Sequence, residues 1–120
     1  MEQPTPSDQE RTWAAVAHLA PLVGYFVLIG QILVPLAILL WGPKTPFVQA
    51  HAKESLNGQI TYTLYGLGVF LLALTVVGIV LALPLGLALL VLVLWNMVQG
   101  ALAAGRGEVY RYALILRLVP

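Results

Sequence analysis

Residues 55–105 read SLNGQITYTLYGLGVFLLALTVVGIVLALPLGLALLVLVLWNMVQGALAAG and contain no Asp, Glu, Lys or Arg. As a helix this stretch would run roughly 77 Å, against a hydrocarbon core of about 30 Å, so it is long enough for two membrane crossings and a turn. The turn is expected within 75–86, where Gly78, Pro84 and Gly86 are the candidate breakers. One crossing would then occupy 47–75 and another 84–104, with Gly105 as a left-handed stop.

Moving toward the N-terminus, Gly42-Pro43-Lys44-Thr45-Pro46 reads as a loop, because two prolines and a glycine cannot continue a helix. Before it lies Trp13–Trp41, apolar and bracketed by tryptophans suited to the two membrane interfaces. Pro21, Gly24, Gly30 and Pro35 interrupt this segment. Two arrangements fit it. In the favoured one, the first part lies along the interface and 21–41 cross. In the other, the chain turns near Gly30 and forms a hairpin, whose irregular backbone beside Gln31 would need protein or water partners. Residues 1–10 are expected to be a disordered polar tail. Within it, Ser7 and Glu10 have capping-box spacing that would start a helix near Asp8. The expected fold is therefore an all-α integral membrane bundle of three transmembrane helices, or four helices if 13–41 form a hairpin. Residues 11–119 would make a single membrane domain.

Composition supports lipid as the surrounding medium. Apolar residues are 60% of the 120 and charged residues 9%, against roughly 45–50% and 25% in soluble domains. A net charge of +1 offers no basic stripe for nucleic acid. With no cysteine there is no disulfide framework or zinc-thiolate site. The first residues lack the positive region of a secretory signal, so the apolar segment behind them is expected to be retained. Under three crossings Lys44, Lys53, Arg106, Arg111 and Arg117 share one side and Arg11 stands alone on the other. That bias implies a multi-pass protein of the inner (plasma) membrane with a cytoplasmic C-terminus.

The densest polar cluster is His51-Ala52-Lys53-Glu54-Ser55-Leu56-Asn57-Gly58-Gln59. Asn57 and Gln59 should lie at the same depth as Asn96 and Gln99 on the next, antiparallel helix, giving a polar layer in the cytoplasmic third of the membrane. Its amides would bond across helices and fix their register; a second reading makes the layer a hydrophilic path. His51 and Glu54 could offer two metal ligands, but His18 is expected at the opposite interface, so no metal or cofactor site is expected. No set of nucleophile, base and orienter can be placed. The tail 105–120 alternates with period two and is expected at headgroup level, with Arg106, Glu108, Tyr110, Arg111 and Tyr112 at the interface.

Three motifs carry a family resemblance: Trp13-Ala14-x-x-x-His18-Leu19, Phe47-Val48-x-x-His51-Ala52-Lys53-Glu54-x-Leu56-Asn57-x-Gln59-Ile60-Thr61, and Arg106-Gly107-Glu108-Val109-Tyr110-Arg111-Tyr112. Together they resemble small bacterial membrane proteins grouped with the chloroplast inner-envelope import component, the channel subunit of the Tic translocon. Gly58 stands where that family usually carries an aromatic residue, and Ala113 where it often carries proline. The resemblance implies three or four helices, no catalytic activity and a link to protein translocation. The leading reading is a non-enzymatic protein that associates with the bilayer and with other membrane proteins or itself. The alternative is an oligomeric pore or carrier for ions or small solutes.

Overall fold

The computed structural model describes residues 5–26 and 29–120. They form four helices: α1 (Asp8–Gly24), α2 (Gly30–Trp41), α3 (Pro46–Ala73) and α4 (Gly78–Gly105), with no strand among the described residues. Residues 1–4 of the expected disordered tail lie outside the described residues, and 8–10 are helical. Ser7 caps α1, its Oγ accepting from the Glu10 N–H at 3.1 Å.

The favoured arrangement of 13–41 is corrected by the structure. The helix stops at Gly24 and a second, antiparallel helix starts at Gly30. The reason is steric. The two glycines let the backbones pass so closely that a Cβ on Gly30 would lie 2.7 Å from the Gly24 carbonyl oxygen. The polar groups at this turn are sheltered by α3: Tyr25 donates to Gln59 Oε1, and Gln31 reaches Thr63 Oγ1 at 3.5 Å.

Lys44 closes the other end of α2, its Nζ donating to the carbonyls of Leu39 and Leu40 at 2.6 Å each. Thr45 and Pro46 start α3 as N-cap and first-turn proline. The turn between α3 and α4 falls at 74–77, where Thr75 Oγ1 accepts from the Gly78 N–H at 2.9 Å. Pro84 and Gly86, two of the expected breakers, are inside α4. The left-handed residue that ends α4 is Gly107 (φ 77°) rather than Gly105.

Lengths decide the shape. At 1.5 Å per residue α3 and α4 run about 42 Å, but α1 about 25 Å and α2 about 18 Å. The molecule measures 55 × 23 × 22 Å. All four helices gather at one end, where α1, α2 and α3 pack around Ala17, Ile38, Val48 and Ala52 and α4 lies against α1 and α3. At the other end α3 and α4 continue as a bare pair, exposing Phe70, Leu71, Leu74, Val76, Val77 and Leu83. Every charged residue described belongs to the four-helix end or to the tail packed on it. Among the described helices, α4 alone is long and apolar enough to cross a membrane, with mean hydropathy 2.7 in its most apolar window. The first half of α3 is too polar to qualify.

Candidate functional site: a buried polar centre that holds the C-terminal tail

One proline and two glycines prepare the centre. Pro21 has no N–H, so it leaves the Ala17 carbonyl of α1 without its helical donor. Ser55 of α3 supplies the missing bond, Oγ donating to that oxygen at 2.5 Å. Gly100 of α4 makes room for His18, since a Cβ there would lie 2.5 Å from the His18 ring. Gly58 does the same for Tyr112, and this is what the small residue at the position accomplishes here.

The consequence is a buried chain of hydrogen bonds. Tyr112 Oη meets His18 Nδ1 at 2.5 Å, His18 Nε2 meets His51 Nδ1 at 2.6 Å, and His51 Nε2 meets the Glu108 carbonyl at 2.8 Å. Only one set of tautomers fits two neutral rings. A carbonyl can only accept, so His51 donates from Nε2 and its Nδ1 accepts from His18 Nε2–H. His18 Nδ1 is then an acceptor and Tyr112 must donate to it. Burial, reinforced by the neighbouring Tyr62, pushes the Tyr112 phenol well above its ordinary value, which keeps that proton in place. His18 is fully buried beside His51, not at the opposite interface; the α1–α2 hairpin is what brings it there.

Glu54 is the second anchor. It is 8% exposed, accepts the Tyr112 N–H, and pairs with Arg117 Nη2 at 2.7 Å. Asn57 binds Val119 twice, donating to its carbonyl at 2.9 Å and accepting its N–H at 2.7 Å. Asn96 does the same for Ala113, at 3.0 Å in each direction. Thr61 Oγ1 accepts the Leu116 N–H at 3.0 Å, and Tyr65 Oη donates to the Leu114 carbonyl at 2.9 Å. The tail therefore does not lie out in an extended form. It folds back on α3 and α4, reverses at Leu114 (φ 58°), and has its backbone groups satisfied by side chains. Lipid would leave such irregular backbone unpaired, which is why it has to be sheltered by protein.

Asn57 and Asn96 thus serve the tail, although Asn96 also donates to Tyr62 Oη at 2.8 Å. Gln59 serves the α1–α2 turn. Lys53 and Gln99 are only partly buried and stand outside the centre. Arg106 and Glu108 form an exposed ion pair at 3.4 Å, Arg111 is exposed, and Tyr110 reaches Asn96 Oδ1 at 3.5 Å. Thr61 and Tyr62 belong to the centre without a role expected from sequence, Ser55 joins it from the expected polar cluster, and Arg117, expected only as a cation near the membrane surface, is the partner of Glu54. Among the described residues no three His, Asp or Glu side chains gather as a metal site.

Gly100→Ala is expected to destabilise the protein by about 2–3 kcal/mol, because its methyl must displace the wedged His18 ring. Thermal unfolding in mild detergent checks this, and an unchanged midpoint would count against the packing described.

The resemblance to the Tic-related family is overturned by comparison with family models: the model that matches describes a different family, and the link to protein translocation falls with it. No curated protein and no solved structure matches the chain. The matching model, that of the MamF/MmsF proteins, spans residues 9–119, nearly the whole chain, so the chain belongs to the magnetosome magnetite crystal formation protein family.

Proposed function

We propose that this chain is an integral membrane protein of the magnetosome that contributes to magnetite crystal formation without catalysing a reaction itself, by associating with other membrane proteins or with further copies. One observation carries the membrane part. The most apolar window of α4, mean hydropathy 2.7, is only 11% buried by the rest of the protein. An apolar surface that size is uncovered for a reason, and lipid is the medium that suits it. The family description supplies the link to magnetite.

In this reading α3 and α4 cross the bilayer and α1–α2 is a re-entrant hairpin, since about 18 Å of α2 cannot span about 30 Å of hydrocarbon. All six Lys and Arg residues then lie on one side. The positive-inside rule makes that side cytoplasmic, together with the C-terminus. Among the described residues the opposite side, facing the crystal, shows only the uncharged 74–77 turn. Such a turn has no carboxylates with which to bind iron or mineral, which favours action through neighbouring membrane proteins.

Topology mapping tests the reading without a background signal, since the chain has no native cysteine. Cysteine introduced at Lys44 should react with an impermeant thiol reagent from the cytoplasmic side, and at Thr75 only from the lumenal side. The protein should stay with the membrane through alkaline carbonate extraction. Deleting the gene in a magnetite-forming cell should shift the size or shape of the crystals. Release by carbonate, labelling of both positions from one side, or unaltered crystals would each refute the corresponding part.

A further inference from the structure

The two tryptophans that bracket the α1–α2 hairpin measure its depth. Gly24 lies eleven residues after Trp13, and Gly30 eleven residues before Trp41. Both arms therefore carry the backbone about 16 Å from the tryptophan level to the turn. With those rings at the water boundary, the turn reaches the middle of about 30 Å of hydrocarbon. The third helix gives the same depth independently. Thr63, which Gln31 meets beside the turn, has Lys53 ten residues before it and Ala73, the last residue of α3, ten residues after it. Each interval is about 15 Å, half the hydrocarbon thickness.

The protein is therefore unequal in the two leaflets. On the cytoplasmic side of Thr63 lie α1, α2 and the nearer parts of α3 and α4. The tail lies there too. His51, Glu54, Asn57 and Thr61, all before Thr63, hold it, and Tyr65 reaches back to it at Leu114. On the far side the described residues are two helices, in contact where Leu89 lies over Gly66 and Val69 over Gly86. A helix with its side chains is about 10 Å across, or roughly 80 Å² in section. The cytoplasmic half is thus wider by about 160 Å² before the tail is added.

We propose that the chain is a membrane wedge whose preferred partner is a curved bilayer, convex on the cytoplasmic side, so that it gathers where the membrane bulges toward the cytoplasm. The physics is the matching of areas. Four helices in one leaflet and two in the other expand the first relative to the second. A flat bilayer must take up that difference by distorting its lipid packing, whereas a bilayer convex on the wider side already has it. Insertion that stops within one leaflet is sensitive to curvature for this reason. Lipid chains suit the narrow half, because Phe70, Leu71, Leu74 and Leu83 there are apolar and uncovered. The inference rests on the bilayer reading above and adds a direction to it: a copy reversed in the bilayer favours the opposite curvature.

The test uses the full chain in giant phosphatidylcholine vesicles from which a narrow tube is drawn outward. Gln9→Cys, at an exposed position in the first turn of α1, carries a fluorophore on the cytoplasmic end. An impermeant quencher then separates copies whose labelled end faces outward from those facing inward. Outward copies should be denser on the tube than on the parent vesicle by roughly twofold or more, a preference of only about 0.4 kcal/mol per copy. Inward copies should be depleted from the tube, which makes each vesicle its own control and needs no variant that disturbs the fold. Equal density of outward copies on tube and vesicle overturns the proposal. Enrichment of both orientations alike also overturns it, because a wedge has a direction. Release of the protein by carbonate removes the bilayer reading and this one with it, whereas a firmly embedded chain spread evenly over tube and vesicle removes the wedge alone.

Discussion

Glu54→Ala is expected to cost about 3–5 kcal/mol, enough to lower the thermal midpoint by more than 10 °C in a chain of this size. The carboxylate receives the Tyr112 N–H and the Arg117 guanidinium, and it is nearly closed off from solvent. Its removal leaves a buried N–H without an acceptor and a cation without its counter-charge. The sign is clear because the penalty comes from the stranded partners rather than from the net worth of the pair. Glu54→Gln keeps the volume and an oxygen for the Tyr112 N–H, so it should lose less. Arg117→Ala should also lose less, since Arg117 is partly exposed and water can replace part of what it gives. The double variant Glu54→Ala/Arg117→Ala should fall short of the sum of the single losses by 1 kcal/mol or more, the mark of direct coupling. Additive losses in unfolding experiments would mean that the pair is not made in the folded protein.

How much of this was legible beforehand depends on the range of the interaction. The helical class, the break expected at 42–46 (of which Pro46 already belongs to α3) and the apolar character of 55–105 are set by local composition and by residues that break helices, and these read directly. The polar centre was legible as a list of residues and not as an arrangement. Depth along a helix put Asn57 and Asn96 at one level, because rise per residue is fixed. Nothing local says that their amides face a returning tail, because Asn bonds equally well to side chain or backbone. His18 was misplaced for a related reason. Its position follows from whether the chain turns at Gly24 and Gly30, and those two glycines are as compatible with a long kinked helix as with a hairpin. The signals that could have found the centre are absences: Pro21, which frees the Ala17 carbonyl opposite Ser55, and Gly58 and Gly100, each leaving room for a ring. The tail was misread because alternation of side chains describes an exposed strand well but says nothing when each face is served by a different helix.

The larger expected effect comes from removing that tail. A chain ending at Gly107 loses the acceptor for His51 Nε2, the donors to Glu54, and both partners of Asn57. It also loses the Ala113 groups that meet Asn96, and the Tyr112 ring that fills the space over Gly58. Each buried polar group left unmet costs about 1–3 kcal/mol, and a chain of this size has about 5–15 kcal/mol in all. The truncated chain should therefore accumulate poorly in membranes, show no cooperative melt, and exchange the amides of α1 and the first half of α3 rapidly. The end of α3 from Gly66 onward and the first half of α4 should stay protected, because those parts contact each other and not the centre. A chain lacking only Pro120 should behave as the full one, since the bonds to Val119 are kept. The contrast separates a structural tail from an appended one. A tail that merely rested on the membrane surface could be cut at Gly107 with little change in stability, and its side chains would matter only through their charge. If the chain ending at Gly107 melts within a few degrees of the complete protein, the centre is held by the helices alone and Glu54, Asn57 and Asn96 must find other partners.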